Sequence, residues 1–251
     1  MKKILKYLLI FFVAINLLIL ISGKSWMYKA ISITYLKGHT SSYIHDYVHF
    51  PANTVENGEH QEWLISPNYN NTDLPDYIKE VNDSLETTAF MVIQNDSIIF
   101  EEYWYEYSAD SASNSFSMAK SYISTLVGIA IKEGKIKNIN QKVCDFLPNF
   151  CEGRNTEITI KNLLTMSSGL NWTEDYYNPI GQTAQSYYGT DLRGLVMGLK
   201  VVETPGKVFK YHSSCTQLLA FVVESATGKT ISEYASEKLW KPTGAKHPAL
   251  W

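Results

Sequence analysis

Ser117 and Lys120 stand three residues apart in the stretch SFSMAKSY. A serine hydroxyl hardly ionises at neutral pH, so as a nucleophile it needs a base within hydrogen-bond reach. A lysine amine supplies one when burial or a second cation destabilises its ammonium. Positions i and i+3 share a helix face, so a helix through this stretch holds Lys120 beside Ser117. The spacing alone carries no weight: with 23 Ser and 20 Lys in 251 residues, composition yields about two Ser-x-x-Lys matches. The elements around the pair have to decide.

From Ser117 onward the pattern is helical. Tyr122, Leu126 and Ala130 fall on one face with Ile123, Val127 and Ile131 beside them, and Lys132-Glu133-Gly134 supplies a cation and a glycine stop. Ser117 is thus expected in the first turn of a buried helix, whose N-terminal partial positive charge favours a developing oxyanion. Ahead of it, residues 88–107 read as two β-rich runs around the turn pair Asn95-Asp96, a hairpin.

Proton delivery to a leaving group calls for a second residue. Tyr211, in FKYHSS after the Pro205-Gly206 turn, fits: a phenol with a pKa of about 10 is drawn towards phenolate by a neighbouring ammonium. His212 is the rival, but in an extended segment it points to the opposite side. Between these two regions, a short helix is expected over Ile160 to Thr165. A Tyr- and Asn-rich loop then runs from Trp172 to Tyr188, followed by a helix over Asp191 to Leu199. Further helices are expected from about Thr216 to Glu224, ending near Gly228, and finally up to Trp240.

Taken together, Ser117-Met118-Ala119-Lys120, LLTMSSGL (Leu163 to Leu170) and TPGKVFKYHSS ahead of LLAFVVESATGKTISEYASEKLWKPTGA resemble the serine β-lactamase and penicillin-binding-protein superfamily. The nearest branch is that of class C-like esterases and 6-aminohexanoate-dimer hydrolases, and the resemblance covers about residues 88–251 in order and spacing. It implies an α+β fold, an antiparallel sheet with a helical subdomain. It also implies a serine acyl-enzyme mechanism with Ser117 as nucleophile, Lys120 as its base partner, and Tyr211 on the tyrosine of the family's Tyr-x-Asn motif. No metal or organic cofactor is implied.

Two departures follow. Ser213 stands where most members carry Asn, as it does in some dimer hydrolases; as a substrate-binding residue it offers one hydroxyl in place of an amide. That leans towards esterase or amidase rather than β-lactamase chemistry. The family's third motif, on a sheet strand beside the nucleophile, has no counterpart: Lys241-Pro242-Thr243-Gly244 imitates Lys-Thr-Gly but follows a helix and contains a proline. Loss of one oxyanion donor costs on the order of 3 kcal/mol of transition-state stabilisation, so the chain is expected to be C-terminally incomplete and poorly active as it stands. The expected function is cleavage of a small-molecule or peptide ester or amide through an acyl-enzyme on Ser117. The alternatives are a non-catalytic cell-wall-binding or scaffold relative, and a penicillin-binding peptidase acting on D-Ala-D-Ala.

The ends and composition frame this reading. Lys2, Lys3 and Lys6 precede an apolar run from Tyr7 to Ile21 broken only by Asn16. With the lysines inside, this is an uncleaved anchor or, in the alternative, a cleaved signal, and the remainder lies in the cell envelope, periplasm or extracellular space. The expected layout is an anchor or signal over 1–23, a stem over 24–85, and the hydrolase domain over 86–251, truncated before its last strands. A net charge of -3 excludes a nucleic-acid binder by offering no basic stripe. His45 and His49 have the spacing of a helical metal pair but no third ligand nearby, and the reading is no metal. Cys144, Cys151 and Cys215 cannot all pair; a bridge between the first two is within reach, but the favoured reading is three small buried thiols.

Overall fold

A 20-residue apolar helix, α1 (Lys2–Ile21), opens the computed structural model, which describes residues 2–251; none of its residues is buried. Four residues later α2 (Trp26–Ile33) begins. The chain then passes through β1 (Thr54–Val55), β2 (Leu64–Ile65), α3 (Asp76–Ser84) and the hairpin β3 (Ala89–Gln94) and β4 (Ser97–Tyr103). A 3-10 turn, Phe116–Met118, leads directly into α4 (Ala119–Lys132). Five helices follow, α5 (Ile160–Leu164), α6 (Gln182–Tyr188), α7 (Leu192–Met197), α8 (Ser213–Thr227) and α9 (Ile231–Ala235), and β5 (Ala249–Leu250) closes the order.

The elements group into two compact units. One comprises the segment up to Pro51 with Asn114–Ile231, the other Ala52–Ser113 with Ser232–Trp251. The first unit is helical, and its centre is the packing of α4 on α8. Ile123, Leu126, Val127 and Ala130, at helical spacing, are fully buried on α4. Leu218, Leu219, Val222 and Val223 do the same on α8, each such side chain contributing about 1.5–3 kcal/mol of burial. A second cluster joins Trp26, Ala30 and Ile33 of α2 to Tyr188 at the end of α6. There the Thr34 and Tyr188 hydroxyls share a buried hydrogen bond of 2.9 Å.

The second unit carries the sheets. The β3–β4 hairpin turns at Asn95 and Asp96, both with positive φ (50° and 59°), the geometry a two-residue turn needs to match strand twist. The sheet order is β2-β4-β3, with β2 parallel to β4; β1 and β5 form a separate antiparallel pair. The expected hairpin is therefore present as an antiparallel pair, and a third strand, β2, extends it in parallel.

Other expectations need correction. The loop expected over Trp172 to Tyr188 contains α6, and α8 starts at Ser213, three residues earlier than its apolar pattern indicated. Residues 24–85 show no strong period, yet they hold α2 and α3. Cys144 and Cys151 are joined in a disulfide, with Cα atoms 5.5 Å apart, instead of standing as free thiols; Cys215 is free and buried. The two half-cystines sit in and just after successive 3-10 turns, Val143–Asp145 and Pro148–Phe150, which fold the intervening chain back on itself.

Candidate active site

Ser117 sits in the 3-10 turn ahead of α4, just before the α-helix itself. The turn is entered through Phe116, whose φ of 43° is left-handed, a conformation that costs a residue with a Cβ about 1–2 kcal/mol. It leaves Ser117 exposed while Lys120, half-buried on the first turn of α4, reaches back to it. The Lys120 Nζ donates to Ser117 Oγ at 2.9 Å.

Tyr211 arrives from a separate part of the chain, and its Oη donates to the same Ser117 Oγ at 2.8 Å. The Lys120 ammonium nitrogen also lies 5.2 Å from the centre of the Tyr211 ring. Two side chains, one a helical turn away and one distant in sequence, thus converge on the Ser117 oxygen. His212 goes the other way: it is 5% exposed, and burial lowers its pKa from 6.5.

What holds Tyr211 there is the pair of segments singled out by sequence. The Gly206 N–H donates to the Ser167 carbonyl at 2.7 Å and the Lys210 N–H to the Met166 carbonyl at 2.9 Å. Both Val202 and Glu203 donate to the Gly169 carbonyl. Gly169 has a φ of 70°, and a Cβ there would overlap the Glu203 carbonyl, so only glycine fits. Below, α5 is fixed by a capping box in which Thr159 and Asn162 satisfy each other's backbone N–H groups.

Glu174 is the residue that motif reading missed. Its carboxylate accepts from the Ser213 N–H, the Ser213 hydroxyl, the Tyr176 hydroxyl and the Trp172 indole, each at 2.7 Å. It therefore caps the N-terminus of α8 from outside the helix, two residues after Tyr211, where a negative charge meets the unpaired N–H groups and the helix dipole. Burial alone raises the Glu174 pKa, but the bonds from Ser213, Tyr176 and Trp172 outweigh it and hold the carboxyl below 4.5. Burial and the Glu174 carboxylate push Tyr176 up to about 12, which keeps it a donor. A signal was present: Trp172, Glu174 and Tyr176 alternate, so an extended segment puts them on one side. Ser213, the expected substrate-binding residue, spends its hydroxyl proton on Glu174 and retains acceptor capacity.

Ser117, Lys120, Glu174 and Ser213 border a cavity of about 630 Å³. Its remaining walls include Trp172 and Tyr187 and, from the amino-terminal segment, Met27 and Ile31 of α2. Among the described residues no cluster of His, Cys, Asp and Glu has the arrangement of a metal site; His45 and His49 flank and end a 3-10 turn.

Comparison with known proteins agrees with this architecture. The beta-lactamase family model matches residues 74–251. The 6-aminohexanoate-dimer hydrolase of Paenarthrobacter ureafaciens is 27% identical over 196 residues, 71% of this chain and 47% of that protein. Protein flp of Staphylococcus aureus strain MW2 is 29% identical over 127 residues, 48% of this chain and 25% of that one. This chain thus spans less than half the length of either relative. A solved structure assigned as a 6-aminohexanoate-dimer hydrolase from Bacillus anthracis superposes with a TM-score of 0.71 at 22% identity, covering 84% of this chain and 60% of the other. At that identity the likeness shows the fold, an α+β fold of the kind the motifs implied.

Proposed function

This chain belongs to the beta-lactamase family, and on that footing we propose that it is a serine hydrolase cleaving an ester or amide bond through an acyl-enzyme on Ser117. The observation that carries the reading is the convergence of the Lys120 amine and the Tyr211 hydroxyl on Ser117 Oγ, at 2.9 and 2.8 Å. In the forward step Ser117 Oγ attacks the carbonyl carbon as its proton passes to the Lys120 amine. The tetrahedral intermediate collapses, the bond to the leaving group breaks, and Tyr211 protonates that group and is reprotonated from Lys120. Water then attacks the acyl carbon, its proton returning through the same two groups, and Ser117 is released. The Ser117 N–H is one oxyanion donor.

The substrate class is supported by the name of the Paenarthrobacter relative, since a 6-aminohexanoate dimer is a linear amide. The α1 helix is 20 residues long, apolar over nearly its whole length, and unburied. We read it as a membrane anchor or signal, with Lys2, Lys3 and Lys6 on the cytoplasmic side and the hydrolase unit outside.

The test is labelling of the full chain with a fluorophosphonate and mapping of the adduct by mass spectrometry. The expected adduct is on Ser117, absent from Ser117→Ala and slowed about 10²-fold or more in Lys120→Met. An adduct elsewhere, or none, rejects the nucleophile.

A further inference from the structure

The cavity beside Ser117 is not walled by the helices of the catalytic motifs alone. Met27, Ala30 and Ile31 of α2 and Tyr35 of the following turn form one side of it. This side is attached directly to α1: α2 begins four residues after α1 ends. The Tyr28 hydroxyl donates to Asn16 Oδ1 at 2.6 Å, tying α2 back onto the carboxyl-terminal part of α1. At 1.5 Å per residue α1 is about 30 Å long, the thickness of a bilayer's hydrocarbon core. With α1 in a membrane, α2 and its turn lie at the lipid–water boundary, where Trp and Tyr collect.

The exposed residues of this segment are apolar in the direction that matters. Tyr28, Ile31, Tyr35 and Leu36 are all exposed, and Ile31 and Tyr35 also line the cavity. Apolar side chains of α2 and its turn are thus both exposed next to the anchor and part of the cavity lining. The lining combines polar groups, Ser117, Lys120 and Glu174 among them, with the side chains of Tyr188, Leu192 and Val196. A carbonyl held at Ser117 Oγ leaves its acyl chain within a cavity that these apolar side chains line.

We infer that the cavity takes the acyl chain of a membrane-borne amphiphile, an ester or amide that reaches Ser117 from the lipid along α2. This rests on the serine-hydrolase and anchor readings above, and the test separates them. Alkyl fluorophosphonates with ethyl to decyl tails are reacted with the full chain in phosphatidylcholine vesicles. In parallel, decanamide and propanamide are titrated calorimetrically into Ser117→Ala. Labelling of Ser117 is expected to quicken two- to fourfold per methylene before levelling off. Decanamide is expected to bind Ser117→Ala at least 100-fold tighter than propanamide. Ile31→Arg, which shares the same vesicle partitioning, is expected to bring the decyl-to-ethyl ratio towards one.

Equal labelling by ethyl and decyl probes, with no amide preference, overturns the acyl subsite and leaves the hydrolase reading standing. No labelling by any probe, with decanamide selectivity intact, overturns the hydrolase and leaves the subsite. A chain-length preference unchanged in Ile31→Arg overturns the route along α2.

Discussion

At the scale of single residues, the proposed mechanism divides the labour between the two donors on Ser117 Oγ, and that division is measurable. In it Lys120 is needed for every acylation, whereas Tyr211 is needed only where the leaving group must be protonated. Tyr211→Phe is therefore expected to slow an anilide about 10²-fold more than a nitrophenyl ester, whose phenolate leaves unaided; equal losses would remove Tyr211 from the proton path. Glu174 and His212 bear on stability. Both have folded-state pKa values below their ordinary ones, 4.5 for the glutamate and 6.5 for the histidine. In each case the unfolded chain binds the proton first on acidification, so stability is fully present above the ordinary value and is lost as pH falls through it towards the folded value. Melting curves should thus show a first decline just below pH 6.5, reduced in His212→Gln, and a second below 4.5, which Asp110, Glu152 and Glu157 share and which is reduced in Glu174→Gln. Glu174→Gln should also cost about 1–3 kcal/mol at neutral pH, because an amide cannot accept all four bonds.

At the scale of elements, α4 and α8 are the frame on which the site is built, and Leu126 and Leu218 at their contact are wholly buried. Leu126→Ala should cost about 2–5 kcal/mol by urea denaturation, with Ser117 labelling lost alongside folding. The Cys144–Cys151 bridge closes an eight-residue loop and is expected to contribute roughly 2.5 kcal/mol by the chain-entropy account. The native oxidised chain should take up no iodoacetamide, since Cys215 is buried and its thiol is pushed up to about 11. These elements were unequally legible. The apolar period of α4, the Asn95-Asp96 turn and the approach of Lys120 to Ser117 follow from local rules, and sequence exposes them. The role of Glu174 depends on a 39-residue separation from Ser213, and the two-residue strands β1 and β2 depend wholly on their partners. Spacing alone permits the bridge without requiring it; the back-to-back 3-10 turns that bring the two Cα atoms together lie in the fold. The α6 helix, with Tyr and Gln in place of an apolar stripe, is specified by the packing of Tyr188 on α2 more than by its own pattern.

At the scale of the whole molecule, two independent features bear on one question, the compartment. An unburied apolar helix with lysines in its first turns is the feature on which the proposed orientation, bulk outside the cytoplasm, rests, and a disulfide persists only where thiols are not kept reduced. The two features are physically independent, so their agreement is testable as a unit. Intact cells producing the chain are treated with a membrane-impermeant phosphine and then with an impermeant maleimide. If the hydrolase unit is outside, Cys144 and Cys151 become labelled only after reductant, while Cys215 stays unlabelled until the protein is denatured. If it is inside, neither reagent reaches it, and the cytoplasmic pool keeps the pair reduced, so labelling appears only after lysis and needs no reductant. Alkaline carbonate extraction then separates anchor from cleaved signal. An intact α1 holds the protein in the membrane pellet, because removing about twenty apolar residues from lipid is too costly for high pH to drive. A processed chain lacking Lys2–Ile21 appears in the supernatant with a correspondingly lower mass.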